Sequence, residues 1–166
     1  MSAEATDVTV TLVVNGTRMT RTAGGHLSLL RWLRDVADVT DPKYGCGEGI
    51  CGACTVLVDG EQLSSCIVLA AQVDGAAITT AAGLCEPGGS LGPLQQRFHE
   101  HHAAQCGFCT PGMLLCAHAM LRDNEDRGPL SRDDIRERLH GNLCRCTGYS
   151  PIVDAIEDAQ SRGIAR

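Results

Sequence analysis

Aromatic residues, basic runs and long apolar stretches are all scarce in this chain. Among its 166 residues it has one tryptophan, two tyrosines and two phenylalanines. Its formal net charge is −6 and it has no block of lysine or arginine, which argues against nucleic acid as a partner. The longest apolar runs, such as residues 67–71, are far too short to span a bilayer. We therefore expect a globular protein with no nucleic-acid partner and no membrane span.

Export signals are also missing from the start of the sequence. The first ten residues have no basic start, no long apolar stretch and no twin arginine, so the sequence predicts a cytoplasmic protein. Thiols stay reduced in that compartment. The ten cysteines are therefore expected to bind metal rather than to form disulfides.

The first half of the chain predicts a small α+β domain. Segments rich in β-branched residues alternate with turn signals such as Asn15-Gly16 and Asp59-Gly60, which is typical of hairpins. Ser28 is placed to cap a helix through residues 29–36, where apolar residues recur at helical spacing. The predicted strands cover residues 8–14, 17–22, 55–58, 62–65 and 76–80.

The second half of the chain predicts helices only, after a linker at residues 85–90. Thr110 is the expected N-cap of the second helix, with Pro111 in its first turn. The four helices are predicted to start at Leu91, Thr110, Ser131 and Ser150. Four short helices form a small bundle. We therefore divide the chain into a first domain of residues 1–82 and a helical domain of residues 83–166.

Four cysteines of the first half have the spacing of a plant-type [2Fe–2S] site, C-x4-C-x2-C followed by a distant fourth cysteine. Three thiolates from one tight loop converge only if the backbone turns sharply, and the glycines within residues 45–52 allow such turns. A structural zinc site usually takes two short-spaced pairs, which makes zinc much the weaker account. The predicted ligands are Cys46, Cys51, Cys54 and Cys66.

A second set of four cysteines reads Cys106-x2-Cys109 and Cys144-x-Cys146. The first pair precedes a predicted helix start, where free N–H groups and the helix dipole favour a negatively charged group. The second pair lies between the third and fourth predicted helices, so helix ends could bring the four thiols together. Two short-spaced pairs also suit zinc, which is a serious alternative here. The neighbouring plant-type motif favours a second iron–sulfur cluster.

The remaining candidates give weaker signals. Cys116 lies on an apolar predicted helix and is expected to be a small buried hydrophobic residue, and Cys85 has no assigned role. The run from His99 to His102 is better explained as a solvated helix face than as a metal site. The sequence shows no nucleophile–base arrangement and no glycine-rich phosphate loop. It therefore predicts a chain that carries electrons and has no substrate-converting site of its own.

Taken together, these motifs resemble a known family. The segments CGEGICGACTVLVDG, QCGFCTPGM and GNLCRCTGYSPIVDAI are similar to the small iron–sulfur subunit of molybdenum hydroxylases, the family of xanthine dehydrogenase, aldehyde oxidoreductase and carbon monoxide dehydrogenase. The resemblance runs from Val8 to the last predicted helix. It implies an α+β protein in which a plant-type ferredoxin-like β-grasp domain precedes a four-helix [2Fe–2S]-binding bundle, with one [2Fe–2S] cluster in each.

The resemblance also implies partners and cofactors. The cluster of the first cysteine set would lie nearer a flavin, and that of the second set nearer a molybdenum cofactor. Gln105 matches the residue that contacts the pterin, and Cys146 lies at the pterin edge as well as ligating iron. A large subunit would carry a molybdopterin dinucleotide, in the cytosine form usual in bacteria. A medium subunit would carry FAD, and the three chains would form a heterotrimer or its dimer.

The expected function is electron transfer within a molybdenum-containing oxidoreductase. Substrate is hydroxylated with water at molybdenum in the large subunit, and this chain passes the electrons singly to FAD. The alternatives are a free-standing ferredoxin, which would need only the first domain, and a zinc-stabilised interaction module. Because the substrate pocket lies in another chain, purines, N-heteroaromatics, aldehydes and aromatic thioesters all fit the sequence.

Overall fold

A computed structural model describes residues 6–164 of the chain, and its first element is a β-hairpin. β1 (Asp7–Val14) pairs antiparallel with β2 (Thr17–Gly24). Asn15 and Gly16 have φ values of 49° and 80°. Positive φ at both turn residues matches the right-handed twist of the strands, so the predicted Asn-Gly turn is confirmed.

The helical segment after the hairpin differs from an ordinary helix. It starts as α1 (Leu29–Arg31), where the hydroxyl of Ser28 accepts a hydrogen bond from the Arg31 N–H at 3.3 Å, as predicted. It continues as a π-helical turn, Trp32–Val36. From this turn the Arg34 side chain donates hydrogen bonds to carbonyl oxygens of the following loop. The sequence predicted one continuous helix here, since periodicity alone does not separate the two helix types.

The remaining strands complete a mixed sheet of five. β3 (Thr55–Val58), β4 (Glu61–Ser64) and β5 (Ala77–Thr79) follow in the chain, and the strand order is β2-β1-β5-β3-β4. β1 runs parallel to β5, and the other pairs are antiparallel. Two 3₁₀ turns, Ala70–Val73 and Ala81–Leu84, were not predicted. One face of the sheet is covered by a core made up of Val10, Leu12, Val14, Leu29, Trp32, Leu33, Val56, Ala70 and Ile78.

The second half of the chain forms four helices, as the sequence predicted. They are α2 (Pro93–Glu100), α3 (Thr110–Asp123), α4 (Arg132–Arg138) and α5 (Ser150–Ser161). Each buries an apolar side against the others. The largest buried members of this core are Phe98, Met113, Ile135, Leu139, Ile152 and Ile156. Within residues 6–164, each helix is too short or too polar to cross a membrane.

The helices and the sheet contact each other directly through α3. Leu115 and Ala119 of α3 form a small buried cluster with Leu57 of β3. At the end of α3, the Arg122 guanidinium donates a 2.7 Å hydrogen bond to the carbonyl of Gly60, in the β3–β4 turn. The two halves therefore pack through a small apolar cluster, and a hydrogen bond from Arg122 to Gly60 also links them.

Candidate metal centres

The first cysteine loop folds its backbone around the sulfur of Cys46. The N–H groups of Glu48, Ile50 and Cys51 donate to that sulfur at 3.3, 3.4 and 3.5 Å. The Cys46 N–H in turn donates to the sulfur of Cys51 at 3.4 Å. Hydrogen bonds from Glu48, then Cys51, then Ile50 lower the pKa of the Cys46 thiol to about 6. The loop is therefore built to hold a thiolate at this position.

Glycines make this winding of the loop feasible. Gly47 and Gly49 have φ values of 74° and 75°. Residues with a side chain rarely adopt this left-handed backbone conformation, whereas glycine adopts it at little cost. The predicted role of the glycine-rich segment in turning the loop is thus seen in the backbone.

The other two cysteines of the first set lie against each other. Burial, followed by the neighbouring thiol of Cys54, raises the pKa of Cys66 to about 11. Cys66 reaches the loop from the end of the β3–β4 hairpin, while Cys54 directly precedes β3. The structure therefore brings the four predicted residues together as two neighbouring pairs, Cys46 with Cys51 and Cys54 with Cys66.

The second set is also paired, and each pair takes one cysteine from each segment. The sulfurs of Cys106 and Cys146 lie 3.5 Å apart. Burial, and then the hydrogen bond with Cys144, raises the pKa of the Cys109 thiol to about 12. Cys109 therefore faces Cys144, and Cys106 faces Cys146. The pairs are nested along the chain, the first cysteine with the last and the second with the third, which spacing alone did not reveal.

The thiol of Cys144 has its own hydrogen-bond partner. The hydroxyl of Thr147 lies 3.1 Å from the sulfur. Burial acts to raise the pKa of Cys144, but hydrogen bonds with Thr147, Cys146 and Cys109 together outweigh it, and the pKa is lowered. Within residues 6–164, no group of three or more His, Cys, Asp or Glu side chains is arranged to hold a single metal ion as it stands. The thiols are arranged as pairs in both sets.

The start of α3 differs from the prediction by one residue. Cys109, not Thr110, is the N-cap, and its side chain makes no capping hydrogen bond. The Thr110 hydroxyl is buried without a hydrogen-bond partner among the described residues. The sulfur of Cys109 faces Cys144. It therefore does not accept a hydrogen bond from the free N–H groups at the start of α3.

The two cysteine loops contact each other through the backbone. The Leu143 N–H donates to the carbonyl oxygen of Cys51 at 2.9 Å. The side-chain amide of Asn142 donates to the carbonyl of Gly52 at 3.0 Å. A Cβ on Gly112, in the first turn of α3, would lie 2.2 Å from that same carbonyl oxygen. The halves thus meet closely at the point where their cysteines lie.

Gln105 lies at the surface together with one pair of the second set, Cys106 and Cys146. Gln105, Cys106 and Cys146 are all exposed. Two large apolar side chains are exposed nearby in the sequence, Phe108 at 47% and Leu143 at 56%. This face therefore leaves one thiol pair open to a partner.

Residues outside the two sets are placed elsewhere. Cys116 is buried, 3% exposed, and its thiol donates to the Arg138 carbonyl at 3.4 Å. His101 lies 3.2 Å from the Asp158 carboxylate. Asn142, Thr147 and Tyr149 were not predicted as site residues. Their closeness to Cys144 in the sequence was the one signal available.

Comparison with known proteins gives matches over both halves. A family described as "2Fe-2S iron-sulfur cluster binding domain" matches residues 12–82, and one described as "[2Fe-2S] binding domain" matches residues 80–157. The nicotine 6-hydroxylase small subunit of Paenarthrobacter nicotinovorans is 45% identical over 152 residues, which is 92% of this chain and 89% of that protein. Caffeine dehydrogenase subunit gamma of Pseudomonas sp. (strain CBB1) is 45% identical over 148 residues, 89% of this chain and 88% of that protein.

Solved structures are similar over nearly the full length. A chain of quinoline 2-oxidoreductase from Pseudomonas putida 86 superposes with a TM-score of 0.86 at 43% identity, covering 95% of this chain and 98% of that chain. The aldehyde oxidoreductase of Desulfovibrio desulfuricans superposes with a TM-score of 0.83 at 44% identity, covering 94% of this chain and 17% of that chain. The same arrangement thus occurs both as a separate chain and as part of a longer one.

Proposed function

This chain belongs to the family of small iron–sulfur subunits of molybdenum hydroxylases, and we propose that each of its cysteine sets ligates one [2Fe–2S] cluster. Its function is electron transfer within an oxidoreductase, and the substrate-converting site lies in another chain. The observation that carries the ligand assignment is the pairing of all eight thiols within their predicted sets. A [2Fe–2S] cluster supplies one-electron redox chemistry when bound.

The pairs suggest how the ligands divide between irons. In the first set, one iron would be held by Cys46 and Cys51 and the other by Cys54 and Cys66. The N–H groups directed at the Cys46 sulfur stabilise negative charge there. Because reduction adds negative charge to a cluster, such donors favour the reduced state and raise the reduction potential.

In the second set, one iron would be held by Cys106 and Cys146 and the other by Cys109 and Cys144. The four thiols come from two segments, and each iron would take one thiol from each segment. Zinc fits this set less well, because a single zinc ion needs all four thiols around one point. The cluster would therefore clamp the loop before α3 to the loop before α5.

The exposed pair of the second set, Cys106 and Cys146, marks the side at which electrons would enter this chain. We assign Gln105 and Cys146 to the contact with a molybdopterin dinucleotide in a large subunit. Both residues are exposed, as a contact with a partner's cofactor requires. The cytosine form of the dinucleotide belongs to this proposal.

The surface beside the first set supports an exit side. Ile50 and Ile67 are both 61% exposed, and Tyr44 is 51% exposed. Large apolar side chains grouped at a surface mark protein contacts. We assign this face to a medium subunit that carries FAD, which completes a heterotrimer or its dimer in the cytoplasm.

The names of three relatives bear on the substrate. Nicotine 6-hydroxylase, caffeine dehydrogenase and quinoline 2-oxidoreductase are each named for a nitrogen heterocycle. We infer that the complex containing this chain acts on an N-heteroaromatic compound. Assay of the purified complex against N-heteroaromatic compounds, purines among them, and against aldehydes tests this, and turnover of aldehydes alone would contradict it.

The ligand assignment is tested by single cysteine substitutions in the purified complex. Cys54→Ser and Cys109→Ser should each remove one of two distinct EPR signals and half of the iron and sulfide. Cys116→Ser, a buried cysteine outside both sets, is the matched control and should keep both signals. Survival of both signals in Cys109→Ser would overturn the assignment of the second set, and stoichiometric zinc without sulfide would overturn the clusters themselves.

A further inference from the structure

A continuous chain of hydrogen bonds joins the two cysteine loops through Asn142 and Tyr149. The buried Asn142 side chain, 5% exposed, donates to the carbonyl of Gly52 in the first loop at 3.0 Å. The Asn142 carbonyl accepts from the Tyr149 hydroxyl at 3.1 Å. That hydroxyl accepts from the Cys144 N–H at 3.0 Å. Three hydrogen bonds thus run from the first loop to a cysteine of the second set.

Tyr149 is held in a conformation that a bulky residue rarely adopts. Its φ is 67°, in the left-handed region, although it immediately precedes α5. The Thr147 hydroxyl accepts from the Tyr149 N–H at 3.2 Å and also lies beside the Cys144 sulfur. A strained backbone persists only where surrounding contacts fix it, and such residues cluster at functional sites. In this backbone conformation, the Tyr149 hydroxyl hydrogen-bonds both the Cys144 N–H and the Asn142 carbonyl.

Asn142 can act on both loops because its two polar ends point in different directions. Its side chain also lies 3.5 Å from the Thr55 hydroxyl, so it is fixed against the start of β3. Its backbone belongs to the segment that leads into Cys144. A shift of either loop therefore has to break a buried hydrogen bond, which costs free energy when the group finds no water.

We propose that Asn142 and Tyr149 are positioning residues that fix the two cysteine loops, and hence the two clusters, relative to each other. This inference rests on the proposed ligation of a cluster by each set. Neither residue is a ligand. They act by holding the separation and orientation on which electron transfer between the clusters depends.

Two conservative substitutions test the link at its two ends, in the purified complex. Tyr149→Phe removes one oxygen and leaves Cys144 and Asn142 without their shared partner. Asn142→Asp replaces the amide donor by a carboxylate oxygen that faces the Gly52 carbonyl. Both variants should keep the full iron content. In the fully reduced protein, each should change the magnetic splitting between the two cluster EPR signals, because that splitting depends on their separation and orientation.

The potentials distinguish the two ends of the link. Tyr149→Phe should shift the midpoint potential of the cluster of the second set, and Asn142→Asp mainly that of the first set. Thr110→Val is the matched control, since it removes a hydroxyl beside the second loop that has no hydrogen-bond partner among the described residues and so lies outside the link. Its splitting should equal that of the unmodified protein. Unchanged splitting and unchanged potentials in both test variants, with full iron content, would overturn the proposal. Incomplete iron in the unmodified complex would instead count against the ligand assignment.

Discussion

The backbone N–H of Leu143 donates a hydrogen bond to the backbone carbonyl of Cys51 at 2.9 Å. Cys51 belongs to the first cysteine set, and Leu143 directly precedes Cys144 of the second. The contact therefore connects the two predicted metal sites by one hydrogen bond and a few covalent bonds. The relative placement of the two halves of the chain is therefore fixed in part at the predicted metal sites themselves.

The close contact between Gly112 and Gly52 predicts the effect of adding a single methyl group at Gly112. An alanine Cβ at Gly112 would lie 2.2 Å from the Gly52 carbonyl oxygen. A glycine-to-alanine change inside a helix ordinarily stabilises by about 1 kcal/mol. Here the clash should destabilise the protein by about 1–3 kcal/mol instead, and disturb the EPR signal of the first cluster. Thermal unfolding of the variant measures the change.

The matched control for that variant is Gly141→Ala. An added Cβ at Gly141 would meet no atom within 4 Å, although the residue lies in the same contact region. Its melting temperature should stay close to that of the unmodified protein. Equal stability of the two variants would show that the contact at Gly52 is loose.

Arg34 is expected to matter for the first cluster although it lies outside the cysteine loop. From the π-helical turn it donates to the carbonyls of Thr40 and Pro42 at 2.5 and 2.8 Å. These residues lead into the loop, which the Lys43 N–H closes by donating to the Ala53 carbonyl at 3.0 Å. Arg34→Gln should lower the occupancy of the first cluster and leave that of the second, as measured by iron content and EPR.

Arg18→Gln provides the comparison for Arg34, because Arg18 is exposed on β2, away from the loop. It should leave both EPR signals unchanged. Equal loss of both clusters in Arg34→Gln would indicate a general folding defect rather than a local effect on the loop.

His118 predicts a pH dependence of stability. Burial, reinforced by the nearby Arg122, lowers the pKa of His118. The unfolded chain therefore binds the proton more readily than the native protein, and stability falls as the pH drops through the ordinary value of about 6.5 toward the native pKa. The melting temperature should decrease from about pH 7.5 to pH 5.5, and His118→Gln should flatten that decrease. His26→Gln, a change at an exposed histidine, is the control and should leave the decrease in melting temperature unchanged. If His118→Gln also leaves it unchanged, other groups cause the pH dependence.

The start of α4 predicts a smaller, local effect. Ser131 and Asp134 form a capping box, in which the Asp134 N–H donates to the Ser131 hydroxyl at 3.2 Å and the Ser131 N–H donates to the Asp134 carboxylate at 2.9 Å. Ser131→Ala should destabilise the protein by about 1 kcal/mol. Thermal unfolding checks this, with Ser90→Ala in the exposed linker expected to have no effect.

Local features were predictable because their causes lie within a few residues. The turns at Asn15-Gly16 and Asp59-Gly60 need positive φ, and the residue types show it. The helix start at Ser131 was predictable for the same reason. Thr110 was predicted wrongly as an N-cap, because the sequence does not tell that the preceding Cys109 takes that position to aim its thiol at Cys144. The domain boundary between residues 82 and 83 stays a prediction.

The sequence by itself determined which eight cysteines form the two sets, since ligand spacing is a property of short segments. Only the tertiary structure decided that Cys106 faces Cys146 and Cys109 faces Cys144, because that pairing depends on how the segments before α3 and α5 approach each other. It also decided that Leu143 meets Cys51 and that Asn142 and Tyr149 join the loops. Such contacts unite residues far apart in the chain, and their geometry is fixed by the packing of buried side chains and close backbone approach at Gly52 and Gly112.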